Sequence, residues 1–507
     1  MYGLTCLKLG LFALIAILFL IGGFAAIAGI LFGFDIGSNS GIIGTSQYRQ
    51  FFNDPDATEQ GTINGGMSIG CFTGSLASGL IADAFGRKWT IAGSGLLFAV
   101  GALIQALSTG TGMLIAGRIV AGLSVGLTSM CVPLYQSEVA PKEIRGRLVS
   151  IQQWAITWGI FIAFWIQYGC SNLPDTSSFR IPYGVQGIPG LILFIGMIWF
   201  PESPRWLADK NKNEKALSVL ADLHGNGDAN NEYVKQEYAE IIETIRFERE
   251  EAAHSYAELF KPAVFKRVFL GVALQAWQQL TGMNIIMFYV VYLFNQAGVT
   301  GQDATLRASG ISYVVNVVAT IPAILYVDRW GRRPTLIIGS FAMTVCLMIV
   351  GGVMGGVGTR VYDPVTSKHI YDFNGNLGAT NTIITFVYLF VACFAVSWGP
   401  VGWLYPAEIF PNRVRAKAVA LSTASNWFFN WLLNFFVPNL MEDLGFGLYL
   451  LFGGFNLLMT IHVYISYPET KGYTLEQIDE MFNTGANPRK PYIKQVGNVD
   501  AEKKPEA

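Results

Sequence analysis

The chain has 507 residues, of which 52% are apolar and only 14% are charged. Soluble domains carry roughly 25% charged residues, so the composition excludes an ordinary set of soluble domains. A formal net charge of −1 gives no reason to expect a nucleic-acid partner. Apolar runs of about 20 residues are long enough to cross a bilayer, and this sequence contains many of them. We therefore expect a polytopic helical membrane protein in contact with lipid.

Taken in chain order, the apolar runs predict twelve membrane spans. The run that opens span one exceeds the 7–15 residues or so of a signal-peptide core, so we expect it to remain as a span. The predicted spans one to twelve are residues 11–34, 62–82, 90–108, 112–134, 148–169, 183–200, 268–296, 308–327, 334–356, 381–405, 417–440 and 446–467.

A single long polar insertion divides the spans into two groups of six. Strong helix formers with apolar residues three and four apart predict short amphipathic helices in this insertion. The predicted units are an N-terminal six-helix bundle (1–200), a cytoplasmic helical linker domain (201–267), a C-terminal six-helix bundle (268–467) and a partly disordered cytoplasmic tail (468–507).

Lysine and arginine are distributed unevenly between the two sides that these spans define. One side carries 28 of the 34 basic residues and the other carries five, while Arg118 falls inside span four. Loops that face the cytoplasm carry the excess of positive charge. The pattern predicts that both termini are cytoplasmic in a multi-pass protein, which we expect in the plasma membrane.

The two halves of the chain repeat one another. "GLIADAFGRK" from Gly79 recurs as "ILYVDRWGRR" from Ile324, and "PLYQSEVAPKEIRGR" from Pro133 recurs as "WLYPAEIFPNRVRAK" from Trp403. "PESPRWL" has a weaker echo in "PETKGYT". Two halves with the same orientation form a parallel repeat, which transporters build around a site near the middle of the membrane.

Acidic and basic residues stand at the predicted cytoplasmic ends of matching spans in both repeats. Carboxylate–guanidinium pairs at these positions could lock the two halves together, whereas simple anchoring of positive charge on the cytoplasmic side is the alternative. The predicted cytoplasmic gate consists of Asp83, Arg87, Glu138, Arg145, Asp328, Arg332, Glu408 and Arg415.

Span seven, which contains "QAWQQLTGMNIIMFYVVYLF", is unusually rich in side-chain amides. A buried amide without a partner costs about 2–7 kcal/mol. Amides donate and accept hydrogen bonds without charge, so Gln278, Gln279 and Asn284 suit the hydroxyls of a neutral sugar. A helix break near Gly282 would let them converge. The alternative is hydrogen bonding between helices, worth about 0.6–2 kcal/mol.

The motifs "GLIADAFGRK", "GRIVAG", "PESPRWL", "QQLTGMN", "VDRWGRR" and "PET" together resemble those of the sugar porters in the major facilitator superfamily. The resemblance covers residues 10–483 and is strongest to fungal monosaccharide transporters. It implies an all-α fold of twelve transmembrane helices in two parallel six-helix repeats with a cytoplasmic helical linker. It also implies a glucose-like hexose or pentose as substrate, a central sugar site and alternating access, without a cofactor.

The same resemblance implies which residues meet the sugar. Amides supply hydrogen bonds, while Trp403 and Trp427 would offer flat apolar faces to the C–H side of the ring. Ala395 occupies a position where some family members have a glutamate, which distinguishes the chain from animal facilitators. The predicted substrate-binding residues are Gln153, Gln278, Gln279, Asn284, Tyr289, Asn316, Trp403, Asn426, Trp427 and Asn430.

Asp35 near the end of span one is an acid inside the membrane, and such residues are costly enough to be functional candidates. Its predicted partner is Arg118. If the two charges approach and separate during transport, protonation of Asp35 depends on conformation, and the resemblance to proton-coupled porters supports this. We therefore predict proton symport. The alternatives are a facilitated-diffusion uniporter, in which the ion pair is static, and a non-transporting sugar sensor.

An enzyme is not expected. The four histidines are scattered, so the sequence predicts no metal-ligand cluster, and no glycine-rich phosphate loop follows a strand pattern.

Overall fold

The structure is a computed structural model of the chain. It describes residues 20–140, 145–251, 256–297, 299, 302–363, 368–373, 375–411, 414–473, 478, 481 and 482. The predicted start of span one and the end of the predicted tail lie outside these residues.

The first half contains six spans, as predicted. Span six is not one continuous helix, because Gln186 separates two short helices. Its φ of −60° and ψ of −19° are close to helical values. The spans of this half are Leu20–Ile42, Ala57–Phe85, Arg87–Ala106, Thr111–Val139, Arg145–Cys170 and the pair Ser177–Val185 and Gly187–Met197.

The second half repeats the arrangement with two broken spans. Span seven is interrupted at Gly282, and span ten is interrupted at Ser397, where φ is −119° and ψ is −82°. Span seven begins at Pro262, within the range predicted for the linker. The spans are the pair Pro262–Leu280 and Met283–Gln296, Gln302–Trp330, Arg332–Val357, the pair Leu377–Val396 and Trp398–Ile409, Arg415–Leu444 and Gly447–Ser466.

Eight helices in the described part of the chain are long and apolar enough to cross a membrane. Of the other four predicted spans, six and seven are broken into shorter helices, and five and eleven carry several side-chain amides. The arrangement is the twelve-helix, two-repeat fold predicted from the sequence. The four spans that are not long apolar helices are those that are broken or carry polar side chains.

Glycines allow pairs of helices in the first half to touch through their backbones. A Cβ atom at Gly159 of span five would lie 2.6 Å from the carbonyl oxygen of Ile30 in span one. A Cβ atom at Gly122 or Gly126 of span four would overlap the backbone of span two. Small residues at such crossings permit close packing in membranes. Spans one and five, and spans two and four, therefore form tight pairs.

The seam between the halves has two main contacts, one between spans two and eleven and one between spans five and eight. At the first of these, a Cβ atom added to Gly61 would overlap the carbonyl oxygen of Phe435. At the second, Gly310 packs against Phe164 and Trp165. The two contacts occupy corresponding positions in the repeat, so the halves meet about an approximate two-fold axis.

Short helices between the halves lie on one face of the bundle, called here the linker face. They are Pro204–Asp209, Asn213–His224 and Glu232–Glu251, followed by a 3-10 turn at Tyr256–Phe260. The prediction of short amphipathic helices is confirmed. The linker is attached to span four through His224, whose ring nitrogens contact the Val139 carbonyl oxygen at 3.0 Å and the Glu237 carboxylate at 2.6 Å.

The opposite face carries an antiparallel hairpin of strands β1 (Thr359–Asp363) and β2 (Lys368–Asp372), and is called here the hairpin face. Tyr371 anchors the hairpin, because its hydroxyl accepts a hydrogen bond from the Phe446 N–H at 3.0 Å. The segment between spans nine and ten is therefore partly ordered as a hairpin.

The sequence repeat appears in the structure as two matching helix caps on the linker face. The Glu202 carboxylate accepts hydrogen bonds from the backbone N–H groups of Arg87 and Lys88, at 2.9 and 3.1 Å. The Glu469 carboxylate accepts them from Arg332 and Arg333, at 2.9 and 3.1 Å. Carboxylates at a helix N-terminus satisfy unpaired donors and favour the helix dipole. The "PESPRWL" and "PETKGYT" motifs thus cap spans three and nine.

Tyrosines from the second repeated motif hold the two capping segments in place. The Tyr135 hydroxyl donates to the Pro201 carbonyl at 2.8 Å, and the Tyr405 hydroxyl donates to the Pro468 carbonyl at 2.9 Å. Burial is the largest influence on Glu202 and raises the pKa of its carboxyl, while the backbone N–H groups of Ser203, Lys88 and Arg87 act in the opposite direction. Each cap is therefore part of a buried assembly.

Replacing Gly86 by alanine is expected to destabilise the first cap. Gly86 has φ 94° and ψ 163°, a region that essentially only glycine adopts and that costs other residues about 1–3 kcal/mol. An added Cβ atom would also overlap the Glu202 carboxylate. We expect a lower thermal unfolding midpoint in detergent. Gly79→Ala is the matched control, since nothing lies within 4 Å of its added Cβ atom; equal midpoints for both variants would contradict the cap.

Candidate functional site

Span seven is broken where the sequence predicts it. Its first helix ends at Leu280, Gly282 adopts the left-handed conformation with φ 86°, and the second helix begins at Met283. Two side chains stabilise the break. The Thr281 hydroxyl accepts from the Met283 N–H at 3.2 Å, and the Asn456 amide of span twelve donates to the Thr281 carbonyl at 3.1 Å. The predicted break near Gly282 is confirmed.

Gln279 is the centre of an amide cluster at this break. Its side-chain oxygen accepts from Asn284 at 2.8 Å and from Asn430 of span eleven at 3.0 Å. Its side-chain nitrogen donates to Asn426 at 2.8 Å. The structure therefore brings together four of the predicted substrate-binding residues from both sides of the helix break and from span eleven.

Gln278 ties the same cluster to the break in span ten. Its amide nitrogen donates to the carbonyl oxygen of Trp398 at 2.9 Å, and its amide oxygen accepts from Asn426 at 2.7 Å. Gln275, one turn earlier, accepts from Asn426 at 2.6 Å and donates to the Gly402 carbonyl at 2.9 Å. The amides of span seven thus also form hydrogen bonds to spans ten and eleven, as the alternative interpretation expected. The cluster is therefore both a group of buried polar side chains and a connection between these helices.

The cluster reaches the first half of the protein through two residues that the sequence analysis missed. Asn434 donates to Asn430 at 2.9 Å and to Ser68 of span two at 3.1 Å. Ser68 in turn donates to Asn430 at 2.5 Å. Asn434 stands four residues after Asn430, on the same helix face, and this spacing could have identified it. Nothing in the local sequence distinguishes Ser68.

Two other predicted residues line a crevice between the halves, on the linker side of the amide cluster. Gln153 of span five and Trp403 of span ten are half-buried and face each other across it. The crevice holds only about 10 Å³ of free space, far less than the roughly 300–1,000 Å³ of a ligand site. Its remaining lining residues are Ser150, Gln152, Ile156, Pro400 and Leu404.

The other predicted substrate-binding residues lie apart from the amide hydrogen bonds. Trp427 packs edge-on against Phe32 and donates to the Ser129 hydroxyl of span four at 3.1 Å. Asn316 is buried in span eight, and no hydrogen bond to its side chain is seen among the described residues. Tyr289 lies in the second helix of span seven, where it contacts the first half.

Asp35 and Arg118 form an ion pair in the first half, with 3.1 Å between Oδ2 and Nη2. The side chains are 1% and 0% exposed. The pairing predicted from the sequence is confirmed. In the described part of the chain, Asp35 Oδ1 and Arg118 Nε have no hydrogen-bond partner. Buried charges need partners, so a site with one unused acceptor and one unused donor is suited to a change of protonation state.

Three hydrogen bonds connect this ion pair to span seven, through Asn39 and Asn64, two more residues that the sequence analysis missed. Arg118 donates to Asn39 Oδ1 at 3.3 Å, and Asn39 donates to Asn64 Oδ1 at 2.8 Å. Asn64 then donates to the Tyr289 hydroxyl at 2.6 Å. Asn39 stands four residues after Asp35, so its helical spacing was a usable signal.

The residues of the predicted gate pair within each half. Arg87 contacts Asp83 at 3.0 Å and Glu138 at 3.1 Å. Arg332 contacts Glu408 at 2.8 Å. These pairs do not join the halves in this structure, because each arginine begins a helix that packs beside its own half's acid-bearing span. Among the described contacts, these pairs of Arg87 and Arg332 therefore stay within one half, and a direct lock between the halves stays a prediction.

Of the three remaining gate residues, the structure describes the side chain of Arg415. Arg415 donates to the Phe410 carbonyl at 3.1 and 3.2 Å, close to its own helix start. The side chains of Arg145 and Asp328 lie outside the described residues. The role of all eight residues as a gate stays a prediction.

The family model described as "Sugar (and other) transporter" matches residues 22–482. An Aspergillus flavus protein named MFS glucose transporter mfs1 is 46% identical over 91% of this chain and 89% of its own length. A high-affinity glucose transporter of Kluyveromyces lactis is 42% identical over 96% of this chain and 89% of its own.

A solved structure agrees with the fold. The proton:xylose symporter XylE, bound to 6-bromo-6-deoxy-D-glucose, superimposes with a TM-score of 0.77 and is 27% identical, covering 92% of this chain and 99% of its own. These relatives are transporters rather than enzymes. The chain therefore belongs to the sugar porters of the major facilitator superfamily and is most similar to fungal hexose transporters.

Proposed function

We propose that this sugar transporter carries a glucose-like hexose or a pentose across the plasma membrane by alternating access, coupled to a proton. The observation that carries the proposal is the buried Asp35–Arg118 ion pair and its hydrogen-bonded connection to span seven, the span that contributes most of the amide cluster. An ionisable pair inside a membrane is a candidate for ion coupling. Its link to the sugar site gives a route by which protonation affects sugar binding.

The amide cluster supports a neutral polyol as substrate. Gln278, Gln279, Asn284, Asn426 and Asn430 present donors and acceptors without a formal charge. Aromatic faces complete such sites, and Trp403 lines the nearby crevice together with Gln153. The named functions of the glucose-transporting relatives and of XylE point to the same substrate class.

The conformation supports alternating access. On the hairpin side, buried hydrogen bonds join the halves, between Asn64 and Tyr289 and between Ser40 and Tyr313. On the linker side, a small crevice at Gln153 and Trp403 lies between spans five and ten. If the linker face is cytoplasmic, as the excess of basic residues predicts, both termini are cytoplasmic and the hairpin-side bonds close the external side. Transport requires these hairpin-side bonds to break.

Uptake of a panel of labelled sugars into liposomes that contain the purified protein tests the proposal. We expect an imposed inward proton gradient to drive accumulation of one or more monosaccharides above the external concentration. Uptake that only equilibrates, and ignores the gradient, would establish a facilitated-diffusion uniporter instead. Binding without any uptake would favour the non-transporting sensor.

Replacing Glu138 by glutamine is expected to slow transport without abolishing sugar binding. Glu138 is 4% exposed and contacts two nitrogens of Arg87 at 3.1 and 3.2 Å. Removing this charge shifts the balance between conformations, and sugar affinity changes mainly through that shift. The initial uptake rate in liposomes and direct sugar binding measure the two effects separately.

Asp83→Asn is the matched control, because Asp83 contacts the same arginine but is 68% exposed. Exposed ion pairs contribute little, so this variant should transport at nearly the normal rate. Normal transport by Glu138→Gln would refute a role for the buried pair in the conformational balance.

A further inference from the structure

The ion pair of Asp35 and Arg118 is connected to the other half of the protein by a directional series of hydrogen bonds. Arg118 donates to Asn39, Asn39 donates to Asn64, and Asn64 donates to Tyr289. In each amide the oxygen accepts and the nitrogen donates, so every bond runs the same way. This series of Arg118, Asn39, Asn64 and Tyr289 is called here the amide relay.

The relay is shielded from solvent along its whole length. Arg118, Asn39 and Asn64 are 0% exposed, and Tyr289 is 6% exposed. Hydrogen bonds in a medium of low dielectric constant polarise one another, so a change at one end alters the strength of the others. The charged guanidinium at one end makes the first bond sensitive to whatever binds Arg118. The Asp35 carboxylate fixes the guanidinium in the position from which it reaches Asn39, so loss of the carboxylate would release Arg118 and weaken the bond to Asn39 first.

Tyr289 is the point where the relay reaches a deformable part of span seven. Its backbone has φ −115° and ψ 17°, which is not helical, so the second helix of span seven is kinked there. Its hydroxyl crosses from the second half to Asn64 in the first half. The kink and the hydrogen bond between the halves are both at Tyr289. A change in the hydrogen bonding of the first half can therefore alter the conformation of span seven at this residue.

A second tyrosine crosses the halves nearby, and its described hydrogen bonds do not lead to the ion pair. The Tyr313 hydroxyl contacts Ser40 Oγ at 2.8 Å and donates to the Met287 carbonyl at 2.9 Å. Tyr289 and Tyr313 both close the hairpin side through a buried hydroxyl, and only Tyr289 belongs to the relay. This pair therefore provides an internal comparison.

We propose that Asn39 and Asn64 are positioning residues that transmit the charge state of the Asp35–Arg118 pair to Tyr289, so that neutralising Asp35 weakens the closure of the hairpin side. The proposal rests on the proposed proton coupling and names its route to the helix that carries the sugar site. The other ionisable side chains that face the pair are Tyr48, Cys71 and Tyr183. All three types are neutral near pH 7, which leaves Asp35 as the group whose charge the relay reads.

The test measures access to the hairpin side at a fixed pH and without sugar. Val291 of span seven is 7% exposed, and its Cγ1 atom would lie 3.6 Å from a Cβ atom at Gly44, in the turn after span one. A Val291→Cys reporter is made with Cys6 and the half-exposed Cys170 and Cys393 replaced by serine. It reacts with a maleimide only when this contact opens. The labelling rate is compared with and without Asp35→Asn in the parent, in Tyr289→Phe and in Tyr313→Phe.

We expect Asp35→Asn to raise the labelling rate by about fivefold or more in the parent, the size of a typical coupling between sites. Each tyrosine variant alone should also raise the rate, because each loses a bond that closes the seam. The effect of Asp35→Asn should persist in Tyr313→Phe and largely disappear in Tyr289→Phe. Equal effects in the two tyrosine backgrounds, or no effect in the parent, would overturn the proposal.

Variants within the relay test the amides themselves. Asn64→Leu should remove the effect of Asp35→Asn, whereas Gln60→Leu should preserve it. Gln60 also donates to Asn64 Oδ1, at 3.2 Å, but lies outside the relay. If Asn64→Leu does not fold, the comparison of the two tyrosine variants still decides the question. Because labelling needs neither sugar nor a proton gradient, its failure is distinct from a failure of the liposome experiment to show symport.

Discussion

Asp35→Asn is expected to abolish sugar accumulation while leaving sugar exchange measurable. The substitution keeps a hydrogen-bonding side chain beside Arg118 but removes the group that exchanges a proton. Sugar uptake into liposomes should then reach only the external concentration and should lose its dependence on pH. Exchange of internal for external sugar needs no net proton movement, so it should continue. Accumulation ratios under an imposed proton gradient and exchange rates are the two measurements.

Two controls separate coupling from general damage. The Asp35→Asn substitution leaves the Arg118 charge unpaired in the interior, and breaking a buried pair typically costs about 3–5 kcal/mol. The thermal unfolding midpoint must therefore be measured beside transport. Asp175→Asn is the matched control, because Asp175 is an exposed acid near the hairpin face whose Oδ1 accepts from the Ser177 N–H at 2.9 Å. Proton-driven accumulation by Asp35→Asn would eliminate Asp35 as the coupling residue.

Gln279→Leu is expected to weaken sugar binding more than any other single change in the amide cluster. Gln279 accepts from Asn284 and Asn430 and donates to Asn426, so its loss leaves three amides incompletely paired. Leaving a buried polar group unsatisfied costs about 1–3 kcal/mol, and a sugar that contacts these groups would lose roughly five- to 150-fold in affinity. The dissociation constant of the preferred sugar is the measurement.

Gln105→Leu is the matched control for this prediction. Gln105 is a fully buried amide of span three, whose nitrogen lies 3.5 Å from the Gly117 carbonyl. Both variants replace a buried amide by an apolar side chain, but only Gln279 belongs to the cluster. Normal sugar affinity for Gln279→Leu, in protein that remains folded, would assign the cluster to helix packing alone.

Much of this architecture can be predicted from the sequence because each span must be an apolar helix long enough to cross the bilayer. Apolar length predicts the helices, and the repeated motifs predict the two halves. Gly282 and the flanking amides predict the break in span seven, since a left-handed backbone and buried polar groups both oppose a continuous helix. The pairing of Asp35 with Arg118 follows from the cost of an isolated charge in the membrane.

The contacts between halves were harder to predict, because they depend on how two separately folded bundles meet. Arg87 and Arg332 were expected to join the halves, yet each begins a helix next to an acid of its own half. The sequence indicates that these arginines will pair with acids. It does not indicate which of several nearby acids becomes the partner of each arginine. Ser68 and Asn64 escaped notice for the same reason, since their partners lie in the opposite half.

The capping glutamates show a different limit of prediction from sequence. "PESPRWL" and "PETKGYT" were recognised as an echo, but their sequence does not state that Glu202 and Glu469 reach back to the starts of spans three and nine. The missing information is the fold itself, which brings the end of each half beside the start of its third span. Repeated sequence identified equivalent positions, and only the coordinates explain what the positions do.

The glycine crossings limit where the energy of the transport cycle can be stored. Helices that touch through their backbones, as at Gly159 against Ile30, have little room to slide, because a small displacement brings atoms into overlap. The first half should therefore turn as a single rigid body, and the work of switching falls on the polar contacts at the seam and on the broken spans of the second half. Since few contacts change, the two conformations can be nearly equal in free energy. A sugar that binds them with modestly different affinities would then suffice to reverse their populations.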